Sequence, residues 1–298
     1  MYFIHADARV RFNVKAQETA IPKMVNYNKQ LIETHLSGRK KYNVINAQFT
    51  IHYYMSDEIS WSNFCQNIND NLADNGYVLI TGFDGDLLYQ TLKSKSKLTV
   101  SYTDNLGVKN IFFEIIKIYS DNDPKTGLGM PIDFYNSLIS NPGTYIREYL
   151  IFPKFLEQSL KEKCGLELVE SDLFYNLFYL YKNYFMSDNM LGTSNVSGTS
   201  NILIPNITPK KYEELRNFYL SLHPNNHSDI IPDIILASFK LAMLNRYFVF
   251  RKTKNVNVTE PSRIVGINHR IDLGKIITPY FNQNHIIVDP AMKNAQVN

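Results

Sequence analysis

The sequence predicts an α/β protein built on a parallel sheet with crossover helices, and three observations carry that expectation. The stretch from Tyr42 to Lys93 reads strand, helix, strand, turn, helix, the order in which parallel strands are wound. Its strand-like runs, Tyr42–Ala47 and Tyr77–Gly82, are short and largely apolar, as buried strands are. Between them Ile59, Trp61, Phe64, Cys65, Ile68 and Leu72 recur at helical spacing. A hydrophobic share of 44% and a charged share of 20% in 298 residues suit one large globular domain or two smaller ones.

Taken in order, Tyr2–Val10 reads as a strand ending near Asp7. Met24–Leu36 reads as a helix closed by Gly38 and the basic group Arg39, Lys40, Lys41. Lys41–Met55 is the organising stretch: a strand whose C-terminal end emerges at a surface, where open α/β sheets place ligands. Gln48, Phe49, His52, Tyr53 and Tyr54 fall within seven residues there; the plain alternative for His52 is a satisfied core histidine. Asp57–Asp74 is the crossover helix, with Ser56 or Asp57 as N-cap and Gly76 just past its end. After the Tyr77–Gly82 strand, Asp84 and Asp86 flank Gly85 in a turn before a helix from Leu87.

Leu98–Tyr102 and Asn110–Tyr119 suggest an antiparallel pair, followed by a polar loop over Ser120–Met130. Glu148–Phe152 is strand-like, Pro153 starts a helix to Cys164, Gly165 caps it, and Leu166–Val169 is a strand. Asp172–Phe185 reads as an aromatic helix, residues 186–206 as a mobile insertion, and Pro209–Leu222 and Ile230–Leu244 as helices. Tyr247–Arg251 is the closing strand. The domain is expected over 1–254, and 255–298 as a C-terminal extension partly ordered around Ile264–Ile267 and Ile286–Val288.

Charge and composition narrow the function classes. With 31 basic and 28 acidic residues the net charge is +3, too mild for binding nucleic acid by charge alone. The 20 Tyr and 18 Phe against a single Trp fit a core, and also fit stacking on bases. Two separated cysteines, Cys65 and Cys164, indicate a reducing compartment, which makes the sequons at Asn195, Asn206 and Asn257 incidental. A cytosolic protein is expected, since no leader and no apolar run of membrane length is evident. No Cys/His metal pattern, phosphate loop, nucleophile elbow or GxGxxG is present, so no metal is expected.

Five stretches in this order resemble the catalytic domain of the mRNA cap guanine-N7 methyltransferases, particularly those in capping enzymes of large DNA viruses. They are Phe3–Asp7 (FIHAD), Ala47–Tyr54 (AQFTIHYY), Asn75–Asp86 (NGYVLITGFDGD), Glu148–Pro153 (EYLIFP) and Arg246–Lys252 (RYFVFRK). Of these, AQFTIHYY is similar to the family's QFxxHY signature. The resemblance implies a Rossmann-like S-adenosylmethionine-dependent methyltransferase fold: a mostly parallel sheet, an antiparallel strand (Tyr247–Arg251) at its edge, and added antiparallel strands.

By the same resemblance, the reaction is methyl transfer from S-adenosylmethionine to N7 of a GpppN cap, with no general acid or base required. Asp7 would accept from the adenine amino group and Ala8 would supply a backbone contact. Gln48 and Phe49 would line the methionine side of the cofactor. His52 and Tyr53 would face the cap guanine, Glu148 would read its Watson–Crick edge, and Tyr247 would close the pocket. Phe113, or Phe112, would stack on the base, with core packing as its alternative. Implied partners are capped RNA and either triphosphatase and guanylyltransferase domains or a stimulatory subunit, with neither membrane nor DNA, in the host cytoplasm or virion.

The family's acidic-G-x-G cofactor loop has no counterpart, nor has the acidic residue of its second strand. The upstream basic residues that would hold the cap triphosphate are also lacking; Arg9, Arg11, Arg39 and Lys40 are substitutes. The chain therefore reads as the C-terminal part of a larger capping polypeptide, with the N-terminal part of the sheet missing, or as a member that has lost the cofactor. Two other readings stand beside methyl transfer. One is a non-catalytic methyltransferase-like subunit that binds RNA or supports a capping enzyme; the other is a general RNA-binding module, which the low net charge disfavours.

Overall fold

A computed structural model describes residues 2–104, 106–121, 123, 126–178 and 231–253. The order of elements is α1 (Val14–Ala20), α2 (Asn26–His35), β1 (Tyr42–Gln48), a 3-10 turn (Ile51–Tyr54), α3 (Glu58–Asn71), β2 (Leu72–Phe83) and α4 (Gly85–Leu92). Then come β3 (Lys97–Thr103), β4 (Lys109–Lys117), β5 (Pro131–Asn136), β6 (Ile146–Tyr149), α5 (Pro153–Cys164), β7 (Leu166–Leu173), α6 (Ile231–Ala242) and β8 (Asn245–Lys252). The expected insertion at 186–206, the Pro209–Leu222 helix and the 255–298 extension lie outside the described residues, as does Phe185; 174–178 are helical.

The fold is α/β with two sheets. The first has the order β1-β2-β8-β7, and the other β3-β4-β5-β6. β1 and β2 are parallel, joined across α3 as the sequence rhythm predicts. β8 is antiparallel, also as expected, but it lies between β2 and β7 and not at the edge; β7 takes that place, antiparallel to β8 and so running the same way as β1 and β2. So β1 and β2 make the one parallel pairing among the described strands. The predicted pair Leu98–Tyr102 and Asn110–Tyr119 is the β3–β4 hairpin, which continues into β5 and β6 to complete the all-antiparallel second sheet.

Alternate residues of the first sheet turn to α3 and α5. Ala47, Val78, Ile80, Phe248 and Phe250 form one apolar core with Trp61, Phe64, Ile68, Leu156 and Leu160. Inside it Trp61 donates from Nε1 to Ser159 Oγ at 2.6 Å, which satisfies the one polar atom of the indole. The second core joins α4 and α6 to the second sheet through Leu88, Leu92, Phe112, Phe113, Ile115, Phe134 and Ala237. Cys65 and Cys164 are free, buried neighbours across α3 and α5, with Cys164 Sγ 3.5 Å from the Cys65 carbonyl oxygen.

Helix ends follow the sequence closely. Asp57 caps α3 by accepting from the Ser60 N–H at 2.8 Å. Asp84 caps α4 by accepting from the Leu87 N–H at 2.7 Å, so the Asp84–Asp86 pair is a helix start and not an acid/base couple. Gly165 ends α5 at φ +64, the left-handed cap that glycine adopts without a Cβ clash. Gly76 does not end α3. The helix gives way directly to β2 at Leu72, and Gly76 lies within that strand, where a Cβ would meet the Ala73 carbonyl at 2.8 Å.

The expected strand at Tyr2–Val10 is absent: these residues are coil and turn. Side-chain amides take the place of a ladder. Asn28 bonds both the His5 N–H and carbonyl, and Gln17 bonds the Asp7 N–H, the Asp7 carbonyl and the Arg11 carbonyl. Asn67 donates to the Ala8 and Val10 carbonyls, and Asn63 to that of Arg9. With its backbone groups satisfied this way, the segment has no need of a neighbouring strand.

Candidate functional site

The candidate site lies where β1 and β2 end. β1 stops at Gln48, and Phe49 then adopts φ +51, a left-handed conformation that is uncommon for a bulky residue. That elbow redirects the chain into the 3-10 turn Ile51–Tyr54, which carries His52 and Tyr53. The elbow is pinned from β2, because the Phe49 N–H donates to the Thr81 carbonyl at 3.0 Å. The Phe49 ring remains half exposed, with its edge near Phe174.

Cross-strand register sets Gln48 opposite Thr81, Thr81 opposite Tyr247, and Tyr247 opposite Asp172. These four therefore form a row on one face at the C-terminal end of the parallel strands. Thr81 Oγ1 donates to Gln48 Oε1 at 2.5 Å, and Gln48 Nε2 donates to Asn46 Oδ1 at 2.7 Å. The Tyr247 hydroxyl donates to Glu170 Oε1 at 2.5 Å, toward β7.

Glu148 reaches this end from the other sheet. β6 leads through Leu150 to Ile151, which pairs alongside Asp84 just past the end of β2. The approach is close: the Gly85 N–H donates to the Ile151 carbonyl at 2.8 Å, and a Cβ on Gly85 would lie 2.6 Å from that oxygen. Glycine is required here by space alone. Asp84 is fixed in turn by Arg246, whose Nε lies 2.5 Å from its Oδ2, next to Tyr247 on β8.

His52 Nε2 faces Glu148 Oε1 at 3.5 Å, and both side chains are 7% exposed. That distance is beyond a good hydrogen bond, and His52 Nε2 and Glu148 Oε2 have no hydrogen-bond partner. Burial raises the Glu148 carboxyl to about 8 and lowers the His52 imidazole to about 3. Near neutrality the imidazole is neutral and the carboxyl largely protonated. Tyr53 packs on His52, with ring centroids 4.1 Å apart, and its phenol is pushed up to about 12 by burial first and then by the Glu148 charge. Once ionised, a buried carboxyl with an unpartnered oxygen beside two aromatic rings can accept a pair of N–H donors on a flat, polar-edged ligand.

Of the residues singled out from sequence, the structure brings His52, Tyr53 and Glu148 into one cluster and Gln48, Phe49 and Tyr247 around Thr81. Asp7 is near the same end, since its charge and that of Arg9 both act on the Tyr54 phenol, which is raised mainly by burial. Its carboxylate is engaged by Arg9 at 2.7 Å, and Ala8 packs against the first core. Phe113 stands apart, which corrects its expected stacking role. It is fully buried in the second core, paired with Val100 and Asn136. Register places it two strands from Glu148 and four residues further along the sheet, roughly 15 Å away at standard strand spacings.

The substitutes for a triphosphate grip have these neighbours. Arg9 pairs with Asp7, Arg11 with Asp70 at 2.7 Å, Arg39 with Glu33 at 2.9 Å, and Lys40 contacts His35 Nδ1 at 3.3 Å. Sequence reasoning missed Thr81, whose role depends on strand register and leaves no periodic signal. No group of metal-binding side chains occurs among the described residues, and none of their helices is long and apolar enough to cross a membrane.

No protein-family model matches the chain. A probable mRNA-capping enzyme of Acanthamoeba polyphaga mimivirus is 62% identical over 290 residues, a match covering 97% of this chain and 24% of that protein. The chain thus spans about a quarter of the length of the curated relative it matches. Among solved structures, an S-adenosylmethionine-dependent methyltransferase from Clostridium acetobutylicum shares 16% identity, covering 44% of this chain and 50% of its own, at a TM-score of 0.29. The CcbJ methyltransferase from Streptomyces caelestis shares 11%, covering 73% and 59%, at a TM-score of 0.32.

Proposed function

We propose that this chain carries the guanine-N7 methyl-transfer function of an mRNA-capping enzyme, acting on GpppN-capped RNA with S-adenosylmethionine. One observation carries the reading. Glu148 is a buried carboxyl with an unpartnered oxygen, and guanine presents on one edge the N1–H and 2-amino donors that a carboxylate accepts together. The neutral His52 and the Tyr53 ring packed edge-on against it place aromatic surface beside that carboxyl. The 62% identity to a probable capping enzyme supports the same reading.

The chemistry asks little of acid or base groups. The lone pair of N7 is free at neutral pH, so the methyl passes to it directly, the ring gaining the positive charge that the sulfonium loses. S-adenosylmethionine supplies an activated methyl group when bound. The chain's contribution is to hold the guanine edge at Glu148 and the reacting atoms in line, an effect of proximity. Gln48 and the half-exposed Phe49 at the strand end fit the methionine side, and the little-exposed Asp7 carboxylate fits an adenine amino group. Residues 1–254 would be the working unit. Triphosphatase and guanylyltransferase domains or a stimulatory subunit would be its partners, in the host cytoplasm or the virion.

A second reading is a non-catalytic, methyltransferase-like subunit that binds RNA or supports a capping enzyme. The engagement of Asp7 by Arg9 and the pairing of Arg11 and Arg39 with carboxylates favour it. Calorimetric titration with S-adenosylhomocysteine and with GpppA separates the two. Under methyl transfer, Glu148→Ala weakens GpppA about tenfold or more and spares the cofactor product, while Asp7→Ala does the reverse. Binding of GpppA without S-adenosylhomocysteine selects the second reading, and binding of neither rejects the first.

A further inference from the structure

We propose that Thr81 is a positioning residue of this site: its hydroxyl orients the Gln48 amide, while its backbone carbonyl holds the Phe49 elbow. The inference rests on the methyl-transfer reading for what Gln48 faces, but the geometry belongs to this chain alone.

The bonds around Thr81 Oγ1 fix a direction. The Phe49 N–H reaches the oxygen at 3.3 Å while also donating to the Thr81 carbonyl at 3.0 Å. One lone pair faces that N–H, and the hydroxyl hydrogen donates to Gln48 Oε1 at 2.5 Å. The Gln48 amide is thereby turned with Nε2 away from Thr81, where Asn46 Oδ1 accepts one of its two hydrogens at 2.7 Å. One Nε2 hydrogen remains, a donor suited to an anionic oxygen such as the carboxylate of an amino-acid group.

Stability is a poor explanation for this arrangement. Gln48 is exposed, so fixing its long side chain costs rotamer freedom that burial does not return. Thr81 itself is buried, at 7% exposure, and a valine there would fill the same shape. What the hydroxyl adds is direction, at the point where β1 turns into the segment bearing His52 and Tyr53. A left-handed Phe49 is a strained conformation that persists only where neighbours hold it, and Thr81 is the neighbour that does.

The experiment compares the unmutated chain with Thr81→Val and Thr81→Ser. S-adenosylhomocysteine and GpppA are titrated calorimetrically, melting temperatures are taken, and the Gln48 side-chain amide protons are followed by NMR. Loss of one hydrogen bond should weaken S-adenosylhomocysteine about fivefold in Thr81→Val, with GpppA changed less and Thr81→Ser within about twofold of the unmutated chain. The Gln48 amide resonances should move to free-amide positions in the valine variant and return in the serine variant. Unmoved Gln48 resonances, or a lowered melting temperature with unchanged affinity, would overturn the assignment. If the unmutated chain binds neither ligand, the methyl-transfer reading fails, and the Gln48 resonances still decide the role of Thr81.

Discussion

His52 and Glu148 meet as a neutral imidazole and a largely protonated carboxyl, 3.5 Å apart, in a place where neither charged form is solvated. Glu148 is raised from 4.5 to about 8, so it holds its proton in the folded state over a range where the unfolded chain has lost it. The stability this contributes is full below pH 4.5 and is lost as pH rises through 8. His52 is lowered from 6.5 to about 3, so its contribution is full above 6.5 and is lost as pH falls through 3. From pH 6.5 to 8 only Glu148 acts, with a slope approaching 1.4 kcal/mol per pH unit at about the lower end of that window. Chemical denaturation across it should show stability falling with pH, and Glu148→Gln should flatten the fall. An equal slope in the variant would refute the assignment of this proton.

The same proton governs guanine binding. Accepting from both N1–H and the 2-amino group requires the ionised carboxylate, so binding must displace the Glu148 proton. GpppA affinity should therefore rise close to about tenfold from pH 6 to 7 and level off above 8. In Glu148→Gln it should be weaker and independent of pH over that range. Titration calorimetry in two buffers of different ionisation enthalpy would register the released proton directly.

Gly85 tests the junction that delivers Glu148. A Cβ at this position would lie 2.6 Å from the Ile151 oxygen and 2.7 Å from its carbonyl carbon, so the chain leaving β6 must shift. Gly85→Ala should cost about 1–3 kcal/mol in stability and weaken GpppA. Gly107 offers the contrast, at φ +76 with open space around it. Gly107→Ala should cost only about 1 kcal/mol, through backbone strain, and leave GpppA binding unchanged.

Trp61, the chain's single tryptophan, reports on the first core. Ser159→Ala leaves its indole N–H without an acceptor in a buried setting. Urea unfolding followed by tryptophan fluorescence should show a loss of about 1–3 kcal/mol. No change would mean that another acceptor takes over.

Local rules made much of this fold readable. The winding of β1, α3 and β2, the caps at Asp57 and Gly165, the turn at Asp84–Asp86, and the β3–β4 hairpin all rest on spacing and turn chemistry within a few residues. What failed rested on distant partners. Tyr2–Val10 alternates like a strand, yet Gln17, Asn28 and Asn67 bond its backbone, and nothing in its own pattern announces them. The gathering of Gln48, Phe49, His52 and Tyr53 at the C-terminal end of β1 was legible from their spacing. The meeting of His52 with Glu148, the row through Thr81 and the burial of Phe113 are products of register, which single-residue patterns do not encode.

The segment around Asp7 is fastened by side-chain amides and little else: Tyr2 and Phe3 are exposed, and Ala8 is its one link to the first core. Lifting it off would expose mainly the amides of Gln17, Asn28, Asn63 and Asn67, with little of the first core. Such an opening would carry a small m-value and a small heat-capacity change, so denaturant and temperature would barely distinguish the closed clasp from the open one. Its backbone amides would exchange with solvent at rates nearly blind to urea while those of β2 and β8 slowed or quickened with it. The part of the chain proposed to meet adenine would thus be thermodynamically uncoupled from the sheet it borders, free to open without loosening the guanine side.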